Sequence, residues 1–247
     1  MIEKIIKIAE MAGNVIMPFY REDQIDISLK KDKSPITEAD IASNEFIVNE
    51  LESNFSYPIM TEESPVPYNI RKSWKKFWIV DPLDGTKDFI EKNDEFTVNI
   101  ALIDHNRPVL GVINVPAFGI TYWSEKGEGA YKNGKRIYNK SNRINLIGTD
   151  SRFHSTKETK EFFKNNSIKK VVRYGSSLKL CKLAEGEIDI YPRLNGTKEW
   201  DTAASEIILQ EAGCTLVSYP HKRKFIYNKE KIANSFFIAS RIGLSWK

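Results

Sequence analysis

Asp81-Pro82-Leu83-Asp84-Gly85-Thr86, reached through the apolar run Phe77-Trp78-Ile79-Val80, holds the densest potential chemistry in this 247-residue chain. Pro82 cannot continue a hydrogen-bonded ladder, so the strand is expected to end there and deliver two carboxylates three residues apart. Gly85 and Thr86 then open a segment, residues 86–92, that can form a short helix with N–H groups able to meet a phosphate. Pro, Asp and Gly are also common turn residues, and alone the stretch reads equally well as a surface turn. Two further acidic sites tip the balance. Glu62 lies in Met60-Thr61-Glu62-Glu63-Ser64, and Asp201 lies in Trp200-Asp201-Thr202-Ala203-Ala204 at a helix start, where in isolation it reads as an N-cap. Hydrolysis of a phosphate monoester needs charge neutralised on both the attacking water and the leaving oxygen. Two Mg²⁺ ions about 4 Å apart meet that need, and Mg²⁺ takes oxygen ligands in octahedral geometry. Glu62, Asp81, Asp84 and Asp201 supply enough carboxylates for such a centre.

Carboxylates so far apart in sequence must be gathered by a scaffold. Residues 2–19 carry a helical stripe, Ile2, Ile5, Ile6, Ala9, Gly13 and Ile16, opposite Glu3, Lys4, Lys7 and Glu10. Thr37-Glu38-Ala39-Asp40 fits a helix start, with Ile41, Ile47, Val48 and Leu51 as the expected buried face. From residue 77 to about 137 the pattern turns to strands. Residues 95–103 alternate, His105-Asn106-Arg107-Pro108 turns into residues 109–115, and Asn133-Gly134 is a strong hairpin signal. This predicts an antiparallel sheet backed by the first two helices. Beyond residue 145 strands and helices alternate: strands at 169–174, 187–191, 215–218 and 236–239, helices at 177–185 and 201–212. The expected division is an N-terminal half, 1–145, with most of the acidic residues, and a C-terminal half, 146–247, with Asp201.

Composition fits an ordinary globular protein, with 41% hydrophobic and 28% charged residues. No stretch approaches the roughly 20 apolar residues of a membrane span, and the N-terminus lacks a secretory signal's uncharged core. Cys181 and Cys214 are expected to be buried free thiols of a reducing cytosol, since neither belongs to a C-x-x-C pair. Thirty-seven basic against thirty-three acidic residues leave a net charge of +4. That excess is too small to demand nucleic acid, but suits an anionic small substrate. The runs Lys30-Lys31-Asp32-Lys33 and Lys222-Arg223-Lys224 read as solvated loops. The lysine-bearing amphipathic first helix reads as core scaffolding, with loose attachment to the inner face of the cell membrane as the alternative. Trp74, Trp78 and Trp123 read as packing residues, and His105 and His221 as turn residues.

The three acidic motifs, in this order, resemble the signatures of the inositol monophosphatase superfamily, the lithium-sensitive, Mg²⁺-dependent phosphatases, and the similarity runs over nearly the whole chain. Residues 86–90 followed by 93–102, with Gly175-Ser176-Ser177-Leu178-Lys179, Ala184-Glu185-Gly186 and Tyr191-Pro192-Arg193, are similar to the bacterial 3′(2′),5′-bisphosphate nucleotidases. The resemblance implies a layered α-β-α-β-α sugar-phosphatase fold of mixed α+β and α/β class, with an antiparallel N-terminal sheet. It implies two or three Mg²⁺ ions and hydrolysis of adenosine 3′,5′-bisphosphate, and of its 5′-phosphosulfate relative, by water attack. The implied partner is a small nucleotide bisphosphate rather than nucleic acid, in the cytoplasm, with a homo-oligomer as an open state.

By that resemblance Glu62, Asp81 and the Leu83 carbonyl hold one metal, and Asp81, Asp84 and Asp201 the second. Gly85 and Thr86 cradle the scissile phosphate. Thr86 and Asp40 act as a pair on the attacking water, with Glu62 counted beside them in catalysis, and residues 29–35 form a mobile loop over the metals. Ser176, Lys179 and Arg193 meet the nucleotide and its second phosphate, and His154 contacts substrate or is a plain surface histidine. Inositol monophosphatase or fructose-1,6-bisphosphatase activity stays open as an alternative, as does a catalytically dead fold that binds nucleotide or RNA.

Overall fold

The computed structural model describes residues 1–22, 25–30 and 35–247. The chain opens with α1 (Ile2–Arg21), which buries Ile5, Ala9, Gly13 and Ile16 of the expected stripe together with Ile8, Ala12 and Tyr20, while Ile2 and Ile6 are only partly buried against the core it shares with a neighbouring sheet. A short ribbon pairs β1 (Ile27–Leu29) with β2 (Pro35–Thr37), which runs into α2 (Glu38–Asn54). The buried face of α2 differs from expectation: Ile41 is 47% exposed, and Ala39, Ser43, Ile47 and Leu51 face inward. Steps of four keep these residues on one side of a helix, and Ile41 falls roughly opposite Ala39.

A seven-stranded sheet follows. β3 (Ile59–Thr61) leads through α3 (Tyr68–Arg71) to β4 (Lys76–Asp84) and α4 (Thr86–Ile90). Then come β5 (Thr97–Asp104), β6 (Arg107–Val115), β7 (Ile120–Glu125), β8 (Gly129–Lys132) and β9 (Lys135–Ile137). Its spatial order is the chain order, antiparallel except for the β3/β4 pair. Trp78 and Val80 face α1 and α2, whereas Phe77 and Ile79 face the second half of the chain. Both faces of β5 are therefore buried, one toward each core. Pro82 does not end β4 as expected. Asp81 pairs with Asn99 and Asp84 with Thr97, so three steps on β4 oppose two on β5, and the ladder absorbs Pro82 in a bulge.

The second half holds β10 (Ile147–Ser151), α5 (Lys157–Asn165), β11 (Lys170–Tyr174), α6 (Leu178–Ala184), β12 (Ile190–Arg193), α7 (Glu199–Glu211), β13 (Cys214–Ser218) and β14 (Phe237–Arg241). Its five strands lie in the order β11-β10-β12-β14-β13. Neither β10 nor α5 is legible in the sequence rhythm, and β12 starts and ends later than expected. It runs through Pro192, which faces Ile238, to Arg193, which faces Phe237. Helices α6 and α7 fill the space between the two sheets, and Phe162 and Phe163 of α5 cover the outer face of the smaller one. The layers run α-β-α-β-α. Among the described residues no helix is long and apolar enough to cross a membrane.

The middle layer is tight where it supports Asp201. A Cβ on Gly111 of β6 would stand 2.4 Å from the Ala204 carbonyl oxygen and 2.6 Å from Ile207 of α7. Gly111→Ala must push α7 off the sheet, and such overpacking typically costs about 1–3 kcal/mol. Chemical denaturation should show a loss in that range, and a variant as stable as the parent would show that α7 yields freely.

Candidate active site

Parallel pairing of β3 with β4 sets the first contact. Thr61 faces Val80, and the Glu62 N–H continues the ladder to the Val80 carbonyl at 3.1 Å, so Glu62 and Asp81 leave the sheet edge together. Asp81 has the parity of Phe77 and Ile79, which turns it toward α7. Asp201, in the first turn of α7, completes the group. Ligand oxygens of Glu62, Asp81 and Asp201 all lie within 4.8 Å of one another. Asp201 is not the N-cap: Lys198 is, and Asp201 sits three residues later with one oxygen accepting the Lys198 N–H at 2.8 Å.

Asp84 lines the same cavity and is fixed from the opposite half. Its Oδ2 accepts the Ser177 N–H at 2.7 Å, the Ser177 hydroxyl at 2.6 Å and the Asn99 amide at 3.2 Å. Gly85 follows in the left-handed region, φ +89°, with Ser176 so close that a Cβ would stand 3.0 Å from it; only glycine suits both conditions. Thr86 donates its hydroxyl to Asp40 Oδ1 at 3.1 Å. The other Asp40 oxygen accepts the Thr37 N–H and hydroxyl, each at 2.7 Å, as in a capping box. Asp40 is 1% exposed and lies behind Thr86 rather than in the cavity wall.

Crowding shows in the acidities. Burial first, then the charges of Glu62, Asp84 and Asp201, pushes the Asp81 carboxyl well above its ordinary range. Burial, then Asp84 and Glu62, raises Asp201 to about 8. A hard divalent cation suits such a set, since every donor is an oxygen and the anions need a compensating charge. One such charge comes from the chain. Lys30 is not a solvated loop residue: its ammonium lies 2.7 Å from Glu62 and 2.6 Å from Glu63. Burial opposes its charge, but the two glutamates more than offset that and raise its pKa. Residues 31–34, the rest of that run and of the expected mobile loop, lie outside the described residues.

The cavity, of about 490 Å³, is also lined by His154, Ser176, Lys179 and Arg193, together with the unforeseen Tyr191, Trp200 and Phe237. Lys179 is buried, donates to the Tyr174 carbonyl at 3.1 Å and lies over the Tyr191 ring. Burial and then Arg193 lower its pKa to about 8. His154 is lowered to about 4 by burial and by Arg193, Lys87 and Lys179, so at neutral pH it is an uncharged hydrogen-bonding ring. Arg193 donates to the Gly196 carbonyl at 3.2 Å, while its buried Nε has no partner among the described residues. Every residue singled out in the sequence except Asp40 thus meets in one cavity. Asn99 and Ser177 gain a role at the site only here, and Lys30, expected in a solvated loop, joins them; their types carry no signal without their neighbours. Cys181 and Cys214 are buried and free.

The sequence profile of the inositol monophosphatase family matches residues 1–242. The chain is 37% identical over 246 residues to the 3′(2′),5′-bisphosphate nucleotidase CysQ of Escherichia coli K12, covering 97% of this chain and 99% of that protein. It is 40% identical over 221 residues to the protein of the same name from Buchnera aphidicola, covering 86% and 82%. A crystal structure of CysQ from Bacteroides thetaiotaomicron, described as a bacterial member of the inositol monophosphatase family, superposes with a TM-score of 0.88. It is 36% identical, with 97% and 96% of the two chains covered.

The raised carboxyls make metal-free stability depend on pH. A group whose folded pKa exceeds its unfolded value contributes stability below the unfolded pKa, and that contribution is lost as pH rises through the folded pKa. For Asp201 the window runs from about 4 to about 8. The Tm of chelator-treated protein should fall across that window, and Asp201→Asn should flatten the fall. A divalent cation should raise Tm more at pH 8 than at pH 5. Identical pH profiles for parent and variant would overturn the crowding argument.

Proposed function

The chain belongs to the inositol monophosphatase family, whose members are metal-dependent, and we propose that it is a 3′(2′),5′-bisphosphate nucleotidase removing the 3′-phosphate of adenosine 3′,5′-bisphosphate. One observation carries the reading. A single cavity is lined both by the carboxylates with the Gly85–Thr86 turn and by Lys179, Arg193, Ser176 and His154. A substrate with two phosphates has a group for the acidic, metal-type donors and another for the basic residues, whereas a compact monophosphate has only one to offer. The names of the nucleotidase relatives support the same substrate class. The 5′-phosphosulfate analogue fits by the same argument.

Mg²⁺ suits the all-oxygen donor set, with Glu62, Asp81 and the Leu83 carbonyl holding one ion and Asp81, Asp84 and Asp201 another, and a third ion is compatible with the surplus of acidic groups. Bound there, the metal supplies charge neutralisation at the attacking and leaving oxygens. The protein's own part is orientation. Because the Thr86 hydroxyl hydrogen goes to Asp40, its lone pairs face the cavity and can accept a proton from a water aligned for attack. Asp40, fixed by Thr37, holds that orientation and accepts the displaced proton. Gly85 lets the phosphate approach the backbone, and the cationic side chains of Lys179 and Arg193 neutralise the second phosphate. Free buried thiols suit a reducing compartment, and we take the cytoplasm as the location.

Asp81→Asn tests the metal centre. It removes a repelled, buried carboxylate, so the metal-free variant should be as stable as the parent or more so, while turnover with saturating Mg²⁺ falls by orders of magnitude. Parent-like turnover would sink the assignment of Asp81.

Arg193→Ala tests the substrate. Charged hydrogen bonds contribute about 1.5–3 kcal/mol, so KM for adenosine 3′,5′-bisphosphate should rise roughly 10- to 150-fold. Hydrolysis of adenosine 3′-monophosphate, without the second phosphate, should barely respond. Equal losses on both, or a parent enzyme that prefers inositol 1-phosphate, would remove the case for a bisphosphate pocket.

A further inference from the structure

Glu95 lies on the segment between α4 and β5, behind the cavity wall and largely buried. One oxygen, Oε2, accepts three hydrogen bonds: the Gly175 N–H at 2.6 Å, Arg152 Nη2 at 2.8 Å and Arg152 Nε at 3.1 Å. The donors come from the ends of two neighbouring parallel strands. Ser151 of β10 and Tyr174 of β11 are register partners, so Arg152 and Gly175 leave the sheet side by side. Each exit then delivers a cavity residue, His154 beyond Arg152 and Ser176 beyond Gly175. The exit from β11 is tied again two residues later, where the Ser177 N–H and hydroxyl bind Asp84. Carboxylates of the seven-stranded half thus pin the 175–177 turn at both ends. Ser176 between them is held at φ +40°, a conformation that non-glycine residues reach only when their surroundings impose it.

We propose that Glu95 is a positioning residue for substrate selection, which through Gly175 and Arg152 registers Ser176 and His154 on the Gly85–Thr86 turn. It touches neither the substrate nor the acidic cluster. Arg152 is its charge partner and carries the exit from β10 that leads to His154. The proposal rests on the reading above, that the basic lining receives the nucleotide end of a bisphosphate. A carboxylate suits the task because three donors, two from a guanidinium, converge on one anionic oxygen. Removing it leaves the Gly175 N–H buried without a partner and loosens both exits, which keep only Ser177 on Asp84 and Arg152 at 4.0 Å from Asp88.

The test compares wild type, Glu95→Ala and Glu95→Gln on adenosine 3′,5′-bisphosphate and on p-nitrophenyl phosphate, which has no nucleoside. Glu95→Ala should raise KM for the bisphosphate roughly tenfold or more, with a smaller fall in kcat and a much smaller change on p-nitrophenyl phosphate. Glu95→Gln, which keeps an acceptor for Gly175, should recover part of the loss. Arg152→Ala should show the same substrate-selective rise, and it carries the test if Glu95→Ala does not fold. Losses equal on both substrates, or no rise in KM for either variant, would overturn the role of Glu95. Wild type that cleaves p-nitrophenyl phosphate but not the bisphosphate would instead overturn the reading of the cavity on which the proposal stands.

Discussion

Mutual repulsion among one buried and three half-buried carboxylates is the constraint around which this molecule is built. Glu62, Asp81 and Asp201 bring their oxygens within 4.8 Å of one another, with Asp84 close enough to push the pKa values of Asp81 and Asp201 up further. Such a group cannot assemble from local sequence preference, because every approach of two anions away from water is unfavourable. It is held by rigid elements from three directions: the parallel ends of β3 and β4, and the first turn of α7 wedged between the two sheets. The tight seat of α7 on Gly111 belongs to the same arrangement. Close packing there lets the cluster resist its own charge without spreading.

The compensations are chemically consistent. Asp40 and Asp201 each stand three residues after an N-cap, spend one oxygen on the cap N–H and keep the other for the site. Helix starts favour negative charge, so the device both stabilises α2 and α7 and steadies a functional carboxylate. Asp84 receives neutral donors from Ser177 and Asn99, which orient it without cancelling its charge. Lys30 brings a positive charge from a distant strand to Glu62 and Glu63. Together these contacts explain why the acidic loop folds, and why a divalent cation and the fold reinforce each other through the same residues.

The cavity is also a junction between halves. Its acidic wall belongs mainly to the seven-stranded sheet, and its basic wall to the five-stranded sheet and to α6. Polar ties between the walls converge on the 175–177 turn, through Glu95 on one side and Asp84 on the other. The acidic and the basic lining of the cavity are thereby held in fixed register with each other.

Residue chemistry and spacing by themselves determined the acidic motifs and the presence of the two helices that back the sheet, and family resemblance supplied the Thr86–Asp40 partnership. These are local patterns, or motifs whose chemistry needs particular side chains in a given order. Tertiary structure decided the rest. The bulge that carries β4 past Pro82 depends on β5 supplying register on the other side. The exposure of Ile41 depends on which side of α2 meets the sheet. The path of β12 through Pro192 depends on β14. Ser177, Asn99, Lys30 and Glu95 are ordinary polar residues in sequence, and they gain meaning only because non-local packing brings each to a carboxylate or a backbone N–H that would otherwise be buried unpaired.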